Sequence, residues 1–194
     1  MDERQLIRSA RNGNLQDFNR LVMKYQDLVY RQAFYMLPDP TQAEEVALET
    51  FVHAYHHLPT FHNGTYKIWL LRITTRHCLN QPGIQRLRKP TEPLHPMGQS
   101  TRAEAAHTSP DQKAHSNAHP AGLHHLLHQE LQALPPLDRA AIVLTEVQSL
   151  SSAEATEVLQ ISENRFKAYL VQARKQLCLS LNRAAMSCPA AGMA

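Results

Sequence analysis

The sequence predicts an all-α protein of two small helical domains, a four-helix domain and a helix-turn-helix domain, joined by a flexible linker. Apolar residues recur at helical spacing toward both ends of the chain, with little sign of strand alternation. Between them, residues 90–121 carry five prolines and almost no large apolar side chain, so that stretch reads as the linker. Beyond Leu150 the helical pattern breaks only around Gln160 to Glu163, as two short helices with a tight corner require. At 194 residues the chain suits two modest cores better than one large core. The expected domains are 1–89 and 122–183, with a disordered tail at 184–194.

A short helix is expected from Asp2 to Arg11. The second, from Asn14 to Met36, places Leu15, Phe18, Leu21, Val22, Tyr25, Val29 and Ala33 on one stripe, with Asn14 as its N-cap. Pro38 and Pro40 close it, because neither continues the backbone ladder. Thr41, with Glu44 three residues on, reads as a capping box for a third helix to about His57 that buries Val46, Ala47, Thr50, Phe51 and Ala54. Pro59 ends that helix, and a loop from Thr60 to Gly64 leads to a fourth, Thr65 to Asn80. Its inward side is read as Ile68, Trp69, Leu71 or Arg72, and Ile73, and Pro82-Gly83 terminates it. After the linker, Leu123, Leu126, Leu127 and Leu131 mark a helix from Gly122 to Ala133, and Pro136 fits the first turn of the next. Leu150, Val158, Leu159, Ile161, Phe166, Leu170, Ala173 and Leu177 then form the helix-turn-helix. Ser151 with Glu154 caps its first helix, and Ser162 its second.

Composition excludes several classes. No stretch approaches the roughly 18 to 20 apolar residues that span a bilayer. The start, MDERQLIRSARNG, lacks the apolar run of a signal peptide, which places the chain in the cytoplasm. Cys78, Cys178 and Cys188 are too few and too far apart for a disulfide framework or a paired-cysteine zinc site. No Gly-rich phosphate loop, Ser-His-Asp or Cys-His arrangement appears, so neither an enzyme nor a cofactor is expected. His124, His125 and His128 place two imidazoles four apart on a helix, but without a third ligand they read as polar, weakly basic groups rather than a metal site.

The net charge is only +3, so its distribution is the clue. From Phe51 through Thr91 there is no Asp or Glu, while Lys67, Arg72, Arg76, Arg86, Arg88 and Lys89 are present. Immediately before this lie Glu44, Glu45 and Glu49. Opposite signs on neighbouring faces point to one surface for a protein and another for a polyanion. From Ser162 to Arg183, Arg165, Lys167, Arg174, Lys175 and Arg183 face a single acid, Glu163. Such a helix suits a major groove, early residues toward base edges and later cations toward phosphates. The competing reading is a solvated basic face.

Two strings, in order, resemble the extracytoplasmic-function (ECF) type of bacterial sigma factor, within the sigma-70 family. AEEVALETFVHAY at 43–55 with FHNGTYKIWLLRI at 61–73 is similar to the family's second region. LPPLDRAAIVLTEVQSLSSAEATEVLQIS at 134–162, followed by FKAYLVQARKQL at 166–177, is similar to its fourth. The resemblance implies a protein without a catalytic centre that binds core RNA polymerase, directs it to promoter DNA and helps part the strands. By motif position, Glu44, Glu45, Leu48 and Glu49 would dock on polymerase. The minus-ten element, read as a single strand, would fall to His62, Asn63, Thr65, Tyr66, Lys67, Trp69, Arg72 and Arg76. The minus-thirty-five duplex would fall to Arg165, Lys167, Ala168, Tyr169, Gln172, Arg174 and Lys175. Family members are commonly held by an anti-sigma factor, which the resemblance makes a further expected partner.

The sequence departs from the family at Leu48, where Gln is usual, at Tyr55, where Trp is usual, and at Asn80 to Pro82, where the helix usually continues. Gln160 stands where a corner glycine is expected, and Tyr169 and Gln172 where arginines are common. Trp69 also shares a stripe with Ile73, as a core residue does, and Tyr66 stays open between stacking on a base and packing inward. Two other readings therefore remain: a degenerate sigma-like interaction protein that binds polymerase or an anti-sigma factor without reading DNA, and an ordinary helix-turn-helix regulator.

Overall fold

A computed structural model describes residues 2–62, 64–85 and 121–187, with side chains over 125–182 in the last stretch. Asn63, Arg86, Arg88, Lys89, the linker up to residue 120, the side chains of His124 and Arg183, and the tail from residue 188 lie outside the described residues. All regular structure among the described residues is helical.

α1 (Glu3–Arg11) and α2 (Leu15–Met36) are joined through Asn14, whose Oδ1 accepts from the backbone N–H groups of Gln16 and Asp17 at 3.0 and 3.2 Å. α3 spans Pro40–His57, and its cap differs from the expected Thr41. Asp39 is the N-cap, its Oδ1 accepting from Thr41 N–H at 3.0 Å. Pro40 thus opens α3 rather than closing α2, since a first-turn residue has no intrahelical use for an N–H. A 3-10 turn at Leu58–Thr60 leads into the loop before α4 (Tyr66–Asn80). α4 buries Ile68, Trp69, Leu71 and Ile73 as expected, with Leu71 rather than Arg72 inward, and also Tyr66, Leu70 and Cys78. Beyond Gln81 the chain turns once more as α5 (Pro82–Gln85), which buries Ile84.

α6 (Ala121–Gln132) precedes α7 (Pro136–Ile142), which has proline in its first turn. α7 widens into a π-helical turn at Val143–Val147, closed by Gln148 N–H on the Val143 carbonyl at 3.0 Å. π turns are rare and rotate the residues that follow them. Here Gln148 becomes buried, at 3% exposure, and Ser149 takes a positive φ of 54°. α8 (Ser152–Leu159) begins with the expected capping box: Glu154 N–H donates to Ser151 Oγ, and Ser151 N–H to Glu154 Oε2 at 2.9 Å. Gln160 holds the corner in the left-handed conformation, φ 54° and ψ 41°, before α9 (Glu163–Ser187).

Leu21, Tyr25, Val29, Phe51, Phe61, Tyr66 and Trp69 form a core within the first module. The second core crosses between the modules. Met36, Leu37, Val46, Ile68, Leu71 and Leu79 pack in one cluster with Leu131, Leu137, Leu144, Val158 and Phe166. α8 lies against α4, and α2 meets α6, α7 and the π turn. Separate periodicities in the two halves give no sign of this shared core, because amphipathic stripes reveal a buried face but not what covers it.

Candidate nucleic-acid interface

The loop before α4 and the start of α4 set the expected minus-ten residues in unlike environments. His62 is exposed, its Nδ1 2.7 Å from the Thr60 carbonyl. Thr65, at the α4 N-cap, is also exposed. Tyr66 is only 1% exposed, so of the two readings left open its ring packs inward. At the first position of α4 its side chain falls inward among the rings of Tyr25, Phe61 and Trp69, with centroids 5.3, 5.8 and 5.5 Å away. Burial holds its phenol far above the ordinary tyrosine range, and its hydroxyl has no hydrogen-bond partner. Trp69, 7% exposed, packs on Phe61 at 5.1 Å and belongs to the same core. Lys67, Arg72 and Arg76 are half-buried along the flanks of α4. Lys67 Nζ donates to the Gln148 carbonyl at 3.2 Å, across the boundary between modules.

The outer face of α3 carries Glu44, Glu45, Leu48 and Glu49, all exposed. Leu48 and Val52 stand at 68% and 51% exposure, with Tyr55 on the same face. Spacings of four and three residues make these a second apolar stripe, opposite the one formed by Val46, Thr50 and Ala54. Contiguous exposed apolar residues rimmed by polar ones make this face a candidate interaction surface. Glu49 pairs with His77 Nδ1 of α4 at 3.3 Å, although desolvation by burial lowers the pKa of that imidazole.

α9 buries Phe166, Leu170 and Ala173. Arg165, Lys167, Ala168, Gln172, Arg174 and Lys175 all lie on exposed positions. Lys167 is paired with Glu163 at 2.7 Å and Arg174 with Glu146 at 2.6 Å, surface pairs whose strength salt reduces. Tyr169 is half-buried and packs against the shared core. Lys167, Ala168, Val171, Gln172 and Lys175 line one shallow open groove along the helix.

Three features went unseen in the sequence. Val52 completes the outer stripe of α3, and the spacing of Leu48, Val52 and Tyr55 was the available signal. Gln148 and Arg139 tie the modules together, and a polar residue buried at a contact between distant segments leaves no periodic trace. Among the described residues no three His, Cys, Asp or Glu side chains are placed to share a metal ion.

Comparison with known proteins assigns this arrangement to a family. The Sigma-70 region 2 model matches residues 21–89, and the Sigma-70, region 4 model matches residues 124–177. The ECF RNA polymerase sigma factor SigE of Mycolicibacterium smegmatis is 29% identical over 82% of the chain, which spans only 60% of that relative. RNA polymerase sigma-H factor of Pseudomonas aeruginosa is 26% identical over 90% of the chain and 91% of its own length. SigM of Bacillus subtilis, another ECF factor, is 27% identical over 85% of the chain and 95% of its own. In fold the chain is similar to CnrH in complex with the cytosolic domain of CnrY, with a TM-score of 0.68, 24% identity, and coverage of 94% and 99%. It is also similar to the sigma factor RpoE in complex with the anti-sigma factor NepR from Bartonella quintana, with a TM-score of 0.61, 18% identity, and coverage of 86% and 98%. With region 2 folded as α2 to α4 and region 4 as the helix-turn-helix of α8 and α9, the chain belongs to the sigma-70 family, as a transcription-initiation factor of the ECF type.

Proposed function

We propose that the chain docks on core RNA polymerase through the outer face of α3 and brings it to promoters that it reads with both modules. The pairing of region 2 and region 4 in one chain carries this reading. Glu44, Glu45 and Glu49 around Leu48 supply a docking face of acids around an apolar centre. Arg165, Lys167, Ala168, Gln172, Arg174 and Lys175 face the minus-thirty-five duplex, cations toward phosphate and short polar groups toward base edges. Tyr169 braces that helix from behind. The minus-ten strand runs over His62, Asn63 and Thr65, with Lys67, Arg72 and Arg76 along its phosphates. Tyr66 and Trp69 hold that loop from below. The protein acts in the cytoplasm, carries no catalytic centre of its own, and is held in check by an anti-sigma factor.

Run-off transcription with purified core polymerase on genomic fragments tests this. The expected result is promoter-dependent transcripts and co-elution with core. Absence of both rejects the proposal. The half-buried Tyr169 and the ion-paired Lys167 and Arg174 favour, as a second reading, a sigma-like protein that binds polymerase without reading DNA. Co-elution without promoter-dependent transcripts selects it.

A further inference from the structure

α3 packs on α4, and imidazoles line part of the seam between them. His53 stacks on His57, one turn further along α3, with ring centroids 4.2 Å apart. His77 of α4 meets the His53 ring edge-on from across the seam, at 5.4 Å. All three are half-buried. His77 Nδ1 also lies 3.3 Å from Glu49 Oε2, so the cluster shares a carboxylate with the acidic outer face of α3. These side chains are not placed to share a metal ion, which leaves proton uptake as the chemistry they offer.

The charged and titratable groups facing these rings are Glu49, His53, His56 and His57 on α3, and Arg76 and His77 on α4. Among the described residues α2 packs on both helices, and α5 and α8 on α4, without adding another. One acid thus stands among basic groups. Neutral rings stack well at 4.2 Å, whereas two imidazolium ions that close repel each other. Burial, then the neighbouring His57, lower the pKa of His53 to about 4. Burial also lowers that of His77, outweighing the opposite pull of Glu49. An imidazole of this kind binds its proton more readily when the seam is open. The stability it contributes is full above the unfolded value of about 6.5 and is lost as pH falls from there through the folded one.

We propose that this seam is a proton-sensitive hinge, in which neutral imidazoles hold the C-terminal half of α3 on α4 and protons taken up on acidification loosen it. A loosened α3 no longer presents Glu44, Glu45, Leu48 and Glu49 in a fixed place, so docking weakens as pH falls. The coupling to docking rests on the polymerase reading above, whereas the hinge itself does not.

The test uses the full chain and a double variant, His53→Gln with His77→Gln, whose amides stay polar but do not titrate. Urea unfolding is followed by circular dichroism from about pH 8 to about pH 5. The midpoint of the variant minus that of wild type is expected to rise as pH falls below about 6.5. A difference independent of pH overturns the hinge. Should the double variant fail to fold, NMR titration of the wild-type ring resonances decides. His53 and His77, assigned through their ring-to-ring contact, are expected to titrate well below the ordinary value of about 6.5. Ordinary titration of both overturns the hinge. Affinity for purified core polymerase is then measured for both proteins at about pH 7.5 and about pH 5.5, so that any response of the polymerase itself cancels in their ratio. Variant over wild type, that ratio is expected to rise about five-fold or more on acidification, as for coupling between sites. A fixed ratio with diverging midpoints overturns the coupling to docking. Diverging midpoints in a protein that binds core polymerase at neither pH remove the polymerase reading and leave the hinge standing.

Discussion

α4 and α9 were both expected to hold DNA, and they are opposite kinds of helix. Ten of the 15 residues of α4 are buried, and apolar neighbours surround it. α9 buries one narrow stripe and leaves most of its surface to solvent. In α4 the absence of acids marks an interior helix whose few cations emerge along its flanks, so any surface it offers DNA lies on those flanks and the preceding loop. In α9 the cations mark a helix exposed along one whole side. Charge pattern alone cannot separate the two cases, and the periodicity of apolar residues does.

The largest expected effect tests that division. Tyr66→Ala removes a ring packed among three others and should cost about 3 to 5 kcal/mol of stability, read from the urea midpoint. Tyr66→Phe removes only the unpartnered hydroxyl and should leave stability unchanged or raised. A Tyr66→Ala protein of full stability that fails only in promoter opening would place the ring on the DNA side and undo the comparison. For α9 the expectation is reversed. Arg165→Ala with Lys167→Ala should change stability by less than about 0.5 kcal/mol. The same pair should lower the log-log salt slope of duplex binding by about 1.8, two phosphate contacts at about 0.9 each. An unchanged slope removes both residues from the phosphate contacts.

The sequence made local structure legible wherever one backbone segment determines it. Asn14 caps α2, Ser151 and Glu154 cap α8, and Pro136 opens α7, because each device involves residues a few positions apart. It misassigned the start of α3, where Asp39 and Thr41 both qualify as caps and the proline between them settles the choice. The contact between modules was illegible. It depends on Gln132, Arg139 and Gln148 reaching carbonyls about 100 residues away, and a backbone carbonyl has no sequence signature. The same holds for Tyr66. A tyrosine heading a helix after a polar loop looks alike whether its ring turns out or in, and the surrounding rings of Tyr25 and Phe61 decide.

A smaller effect probes the corner that orients α9. Gln160 holds a positive φ, which costs a residue with a Cβ roughly 1 kcal/mol, and glycine, usual there in the family, escapes that penalty. Gln160→Gly should therefore raise the urea midpoint by the equivalent of about 1 kcal/mol without altering DNA affinity. A loss of stability would mean that the glutamine side chain contributes something its exposed position hides.

The smallest effect lies at the other end of the same motif. Ser151→Ala should cost roughly 0.5 to 1 kcal/mol by deleting half of the capping box. The Ser151 hydroxyl and backbone N–H hold the Glu154 carboxyl below the ordinary glutamate range. A carboxyl with a folded pKa below its unfolded value contributes stability at pH above the unfolded value, about 4.3, and loses it as pH falls through the folded one. The gap between wild type and Ser151→Ala should accordingly be full at pH 7 and narrow below about pH 4. A gap that stays constant to pH 3 would assign the cap to the serine hydroxyl alone, with the Glu154 charge playing no part, and α8 would then be held against α4 by its apolar face rather than by the electrostatics of its first turn.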